Sequence, residues 1–364
     1  MRILQISSAK SFGGAERHFV DLCRELVSRG HDVFAALRPT NEWQSRLAFL
    51  PPDNFLHTSI RNSFGMFRAK RIAGFAEKKA IDIVHAHIAR DYLAAGIACH
   101  VAKDVKLVLT RHVGRPMKSY HRFALRNVAA AIAVSADVRV HLAKIFPAEK
   151  IRLIPVGVAA DERGPIAKQE SGAGFRAFHG IPPDVPLVVT LGKLKIVNGQ
   201  RDLVLAANEI VKLFPACRFV IAGTDDSMDQ KFRRELRRLV KVLGLDENVM
   251  WLGWLDDTLP LLDAADILVS PSQTGRFGHV ILEAMAAGKP VVATETEAAR
   301  QFLDDADLLA PTRDPVSLAE LICGLLDDPV RRREIGDALR SSASANYGVD
   351  KMVDATEELY RSLV

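Results

Sequence analysis

Short apolar strands alternate with amphipathic helices along almost the whole chain, and that alternation restricts it to parallel sheets covered by helices on both faces. Strand candidates in the first half are Arg2–Ser7, Asp32–Leu37, Ile81–His85, Lys106–Thr110, Ala130–Val134 and Ile151–Pro155. Between them, stretches such as AERHFVDLCRELVSRG repeat apolar residues at spacings of three and four, the mark of a one-sided helix. Gly30 closes that helix in the usual C-terminal position. Residues 161–186, DERGPIAKQESGAGFRAFHGIPPDVP, break the rhythm with polar residues, Gly and Pro, and predict an interdomain linker with a short helix. The alternation resumes at Leu187–Leu191, Arg218–Ala222, Val249–Leu252, Ile267–Ser270 and Val291–Ala293, and helices over Val316–Leu326, Pro329–Ala345 and Asp350–Leu363 follow. A chain of 364 residues exceeds what one core usually serves. Two doubly wound domains are therefore expected, over 1–160 and 161–345, with 346–364 as a final helix. Domains of this type bind ligands at the carboxyl ends of their strands.

The stretch SPSQTGRFGHVILEAMAAGKPVVAT, Ser270 to Thr294, says most about chemistry. A buried strand ends, a polar glycine-bearing loop follows, and a short helix begins near Gly278. The first N–H groups of a helix are unpaired and attract anions. Glu283 lies just over a turn into that helix, within reach of a ligand's hydroxyls while the amides hold a phosphate. Loop and helix read as a seat for a nucleotide sugar.

Charge is uneven. Residues 1–160 hold 25 Lys and Arg against 12 Asp and Glu, or +13, whereas residues 161–364 hold 24 against 32, or −8. A basic half points to an anionic partner, whether a phosphorylated saccharide, a membrane surface or nucleic acid, or else to a merely solvated basic face. No nucleic-acid-binding motif accompanies it. No apolar run reaches the ~20 residues of a membrane span, and MRILQISSAK begins as a strand rather than a signal peptide. Cys23, Cys99, Cys217 and Cys323 are isolated in sequence, as in reduced thiols of a cytoplasmic protein.

GGAERHFVDLCRELVSRGHDV, DIVHAHIA, LVLTRH, AIAVS, IRLIPVGV, LGKLKIVNGQ, FVIAG, VMWLGW and FGHVILEAMAAGKPVVAT, in that order and spacing, resemble glycosyltransferase family 4 over nearly the full length. The resemblance implies retaining transfer and the GT-B fold, two Rossmann-like doubly wound domains facing a central cleft. It implies acceptor binding in the N-terminal domain, donor binding in the C-terminal one, and a last helix that crosses back onto the N-terminal domain. It further implies a nucleotide-diphosphate sugar (UDP-, GDP- or ADP-linked) as co-substrate, with neither metal nor cofactor.

On that resemblance, the amides of Gly13 and Gly14 line the donor sugar and diphosphate, and His112, at the end of its strand, hydrogen-bonds the donor sugar near the reacting carbon. The family's Gly-Arg-Leu-x-x-x-Lys-Gly pattern clamps the diphosphate with two cations. Here Lys193 holds the Arg position and Asn198 the Lys position, with Lys195 a candidate for the missing charge. The family's paired glutamates are seven residues apart, which puts Gly275 where the first should be and Glu283 at the second, the ribose contact. Gln273, Thr274 or Arg276 is a candidate substitute, as are Glu295 and Glu297 in TETEAAR. Phe277, Gly278, His279 and Val280 retain the phosphate-facing turn. Arg111, Arg115 and Lys118, with His121 and Arg122, form a candidate acceptor patch.

Other polar groups have plainer readings. His85 and His87 have a metal-compatible HxH spacing but no nearby ligand in sequence, and read as a strand-end pair. Asp225-Asp226, Asp256-Asp257 and Asp304-Asp305 read as turns or caps. Ser63–Arg71, SFGMFRAKR, suits either a membrane surface or an exposed helix start. The sequence thus predicts a transferase of bacterial-type envelope glycan assembly, such as lipopolysaccharide, cytoplasmic or peripheral on the inner face of the membrane. The alternatives are a degenerate relative that binds nucleotide or saccharide without transfer, and a GT-B epimerase, for which no convincing acid/base carboxylate pair is present.

Overall fold

The computed structural model describes residues 1–58, 66–114, 116–117, 121–161, 163–274 and 278–364. The chain divides into two compact units, Met1–Gly157 with Tyr347–Val364, and Val158–Asn346.

The first unit is built on seven strands: β1 (Arg2–Ser7), β2 (Asp32–Leu37), β3 (Phe55–His57), β4 (Ile83–Ala86), β5 (Lys106–Arg111), β6 (Val128–Ala133) and β7 (Ile151–Leu153). Their order is β3-β2-β1-β4-β5-β6-β7, and every pairing is parallel. Strand order reverses between β1 and β4, so the loops that leave these neighbours diverge and open a crevice at their carboxyl ends. Register brings Ile6 beside Ala86, which sets Ser7 and His87 at the same rim. Ile3, Leu4, Ile6, Ile83 and Leu109 are buried, as expected of strands sandwiched between helix layers.

The second unit repeats the plan with β8 (Leu187–Leu191), β9 (Arg218–Ala222), β10 (Val249–Leu252), β11 (Ile267–Ser270), β12 (Val291–Thr294) and β13 (Leu309–Ala310), in the order β10-β9-β8-β11-β12-β13. Its reversal lies between β8 and β11, and the loops carrying Lys193 and Gly278 leave from that point.

Two expectations need correction. The expected linker is mostly a fourteen-residue helix, Pro165–Phe178. Arg176 fixes it to the second unit by donating to the Ala264 carbonyl (2.9 Å) and to Asp266 (3.0 Å). Ahead of it, Arg163 bridges Asp161 and Asp263. Its polar composition reflects an element held by ion pairs rather than by a wide apolar stripe. The edge strands β3 and β13, three and two residues long, were not anticipated, since neither has enough residues to show a period.

The helix Val349–Arg361 belongs to the first unit. Met352, Val353, Leu359 and Tyr360 join Ile3, Phe19, Leu22 and Leu26 in one core. Its charged rim is tied down by Glu357, which accepts from Arg29 (3.1 Å), His31 (3.0 Å) and Arg361 (3.1 Å).

Candidate active site

At the first unit's switch point, β1 ends in Ser7 and a loop leads to the helix Gly14–Ser28, whose N-cap is Gly13. Asp91 holds this loop, accepting from the Ser8 amide at 2.8 Å. Burial pushes the Asp91 carboxyl up to about 6, against the pull of its bonds to Ser8. Gly13 and Gly14 lie at the mouth of that helix, over the carboxyl rim of β1.

His112 directly follows β5 and is buried, 7% exposed. His87 directly follows β4 at 1% exposure, and His18 reaches the same spot from the helix Gly14–Ser28 at 3%. A polar chain lies beneath them. Thr110 Oγ1 and the Tyr360 hydroxyl bond the two nitrogens of His85 (2.7 and 2.5 Å). Gln5 donates to Tyr360 (3.3 Å), and its Oε1 accepts from His87 Nε2 (2.7 Å). Burial, then the charge of neighbouring imidazoles, pushes His85 and His87 well below the usual imidazole value, so both are neutral at neutral pH. The HxH pair is thus a hydrogen-bonded strand end that also belongs to a larger cluster. Sequence reading missed His18 and Tyr360. The signal for His18 was a histidine on the apolar stripe shared with Phe19, Leu22, Cys23 and Leu26.

Arg111, the last residue of β5, is buried at 5% exposure beside Tyr92, so it is no part of an exposed basic face. Arg115 and Lys118 lie outside the described residues, whereas Arg122 is exposed. Of the segment read as a membrane contact, residues 63–65 are likewise outside. The remainder begins the helix Met66–Lys78, on which Phe67 is exposed.

In the second unit, the loop after β8 folds back on itself. Asn198 Nδ2 and Gln200 Nε2 both donate to the Lys193 carbonyl, at 2.7 and 3.1 Å. Asn198 therefore shapes the turn, a task different from the charge it was set against in the sequence reading. Gly199 has φ +72, and a Cβ there would lie 1.7 Å from the Pro271 carbonyl oxygen. Only glycine combines that left-handed backbone with so close an approach, and it seats the β8 loop against the β11 loop. Lys193 Nζ pairs with Asp226 at 2.7 Å. Burial would raise the Asp226 carboxyl, but Lys193, with help from Thr224 and Lys195, holds it below the usual carboxylate range. Lys195 is exposed. Asp225 and Asp257 close turns, accepting from the amides of Ser227 and Leu259, and Asp305 is a cap that accepts from the Asp307 amide.

The loop after β11 leads to the helix His279–Ala286, N-capped by Gly278. A Cβ on Gly278 would lie 2.2 Å from the Phe302 ring, so glycine lets the helix start pack flush. His279 is buried and Val280 half-buried. Glu283 is aimed by Thr258, whose hydroxyl donates to its Oε2 at 2.9 Å, with His279 Nε2 3.8 Å from Oε1. Gly275 and Phe277, with Arg276, lie outside the described residues. Gln273 bonds Asp202 at 2.8 Å, and Glu295 pairs with Arg300. Lys193, Asn198, Gly278, His279 and Glu283 thus gather at the second unit's switch point, while Gly13, Gly14, His112 and Arg111 lie at the first unit's.

Comparison with known proteins places both halves. The model of Glycosyltransferase Family 4 matches residues 12–162, and that of Glycosyl transferases group 1 matches residues 174–342. The chain is 24% identical to the N-acetyl-alpha-D-glucosaminyl L-malate synthase of Bacillus anthracis, covering 98% of this chain and 95% of the relative. It is also 24% identical to the lipopolysaccharide core biosynthesis glycosyltransferase LpsE of Rhizobium meliloti, covering 96% of each. Among solved structures, HepE of Anabaena in complex with UDP-glucose superposes with a TM-score of 0.86 at 21% identity, over 100% of both chains.

Proposed function

The chain belongs to the family 4 type of glycosyltransferases, and from that premise we propose that it moves a sugar, with retention, from a nucleotide-diphosphate sugar to a saccharide or lipid-linked acceptor of envelope glycan assembly. The observation that carries this is the β11–helix junction, where an N-terminus capped by Gly278 stands one turn from a carboxylate aimed by Thr258. The open amides suit a phosphate, and Glu283 suits the two hydroxyls of a ribose. HepE, with the same fold, has been crystallised with UDP-glucose, and LpsE acts in lipopolysaccharide core biosynthesis.

In this reading Lys193 turns from Asp226 to the diphosphate, where charge accumulates as the bond from the sugar's anomeric carbon to the phosphate oxygen breaks. His112 hydrogen-bonds the sugar. The acceptor oxygen bonds the anomeric carbon on the face the diphosphate leaves, and a diphosphate oxygen takes the acceptor's proton. No protein carboxylate base and no metal ion enter that sequence, and the product is a hexoside. Acceptor binding falls to the first unit, and the protein works in the cytoplasm, free or peripheral on the membrane's inner face; among the described residues no helix is long and apolar enough to cross a membrane.

A panel of UDP-, GDP- and ADP-sugars, read by thermal shift and by transfer, tests this. One nucleotide class should raise the melting temperature with the logarithm of its concentration. Glu283→Gln should weaken that nucleotide about 30-fold, roughly 2 kcal/mol. No stabilisation by any class would refute the proposal. The degenerate reading has its own support, since Lys193 is neutralised by Asp226 and Asn198 is spent on the turn. It predicts nucleotide binding without product in any acceptor screen, and gain of transfer in the double variant Gly275→Glu, Asn198→Lys.

A further inference from the structure

His18, His87 and His112 are all buried, and one nitrogen from each lies within 4.8 Å of the other two. Ring centres stand 5.6 Å apart for His18 and His87, 5.0 Å for His18 and His112, and 6.2 Å for His87 and His112. Three imidazoles on one tetrahedral ion, at metal–nitrogen distances of about 2.0–2.1 Å, have ring centres roughly 5 Å apart. The His18–His112 pair already meets that spacing, and His87 would close in by about 1 Å on binding.

The chemistry of the donors agrees. Gln5 Oε1 accepts the His87 Nε2 proton, which leaves Nδ1 as the lone-pair nitrogen. That Nδ1 is buried without a hydrogen-bond partner among the described residues. A metal-bound imidazole usually has its other nitrogen held by an outer partner in this way. His85, its ring centre 4.1 Å from that of His87 and its nitrogens bonded to Tyr360 and Thr110, backs the site. An all-imidazole set without carboxylates selects borderline transition ions and rejects magnesium and calcium.

We infer that His18, His87 and His112 form a three-imidazole site for a divalent first-row transition ion of the zinc class, with a fourth position open. On the functional reading above, an ion there takes the nitrogen through which His112 would contact the sugar. It is therefore an inhibitor of transfer rather than a participant.

Titration of the full, chelator-treated protein with cobalt(II) and with zinc tests the site without any transfer assay. One equivalent of cobalt should give the intense visible absorption of a four-coordinate ion, and zinc should displace it with an affinity on the order of micromolar or tighter. His18→Leu keeps the apolar stripe of its helix and should weaken zinc about 100-fold, at the upper end of what even an outer partner's loss costs. His57→Gln, remote and exposed, should leave binding unchanged. If His18→Leu proves unfolded by circular dichroism, His87→Gln serves in its place. Absence of stoichiometric binding, or equal affinity in the wild type and the ligand variants, overturns the site. Binding in a protein that transfers no sugar rejects the functional reading alone; transfer without zinc binding rejects the site alone.

Discussion

Gly199 and Gly278 do at single positions what their loops require. Gly199→Ala would place a methyl 1.7 Å from a carbonyl oxygen on a backbone with φ +72, and both faults act together. A loss of about 2–4 kcal/mol is expected, measured by urea unfolding. Gly278→Ala meets the edge of Phe302, a side chain rather than backbone, so a smaller cost and a weakened nucleotide shift are expected from the same assays. Of the residues that carry the proposal, Glu283 and His112 were legible because each has a fixed offset from a strand end. Asp226 and Thr258, which orient Lys193 and Glu283, were not, since pairing between loops leaves no periodic trace. Asn198 stood at a recognisable position, yet its bond to the Lys193 carbonyl could be learned only from the folded turn.

At the scale of elements, every described strand but β3 and β13 was legible to within two residues at either end. The helix Pro165–Phe178 was legible only as a short helix within a linker, because its glycines and charges imitate one. The helix Val349–Arg361 carries a prediction of its own. Arg361 first, then Arg29 and His31, hold the Glu357 carboxyl down to about 2 against the opposing effect of burial. A carboxylate depressed below its ordinary 4.5 adds stability that is complete above that value and vanishes as pH falls toward 2. Glu357→Gln should therefore cost about 1–2 kcal/mol at pH 7. The gap between variant and wild type, followed by chemical denaturation, should close between about pH 4.5 and 2.

For the whole molecule, the charge asymmetry follows the packing units. Residues 1–157 with 347–364 carry 27 basic and 16 acidic side chains, +11, and residues 158–346 carry 22 and 28, −6. If the first unit receives an anionic acceptor, raising salt from 50 to 200 mM should raise the acceptor's KM severalfold. The nucleotide's Kd should change less, because amides, a carboxylate and a single lysine hold it. The division into two α/β units was legible from the broken rhythm, but the exact boundary at Gly157 was not, since chain continuity hides which side a loop packs on. That boundary has a consequence for synthesis on the ribosome. The second unit is an insertion within the first, so residues 158–346 are all synthesised while the first unit still lacks Tyr360 and the core around it. The unit made first closes last, and until then the site of Met352, Val353 and Tyr360 is an exposed apolar face that invites aggregation or a chaperone.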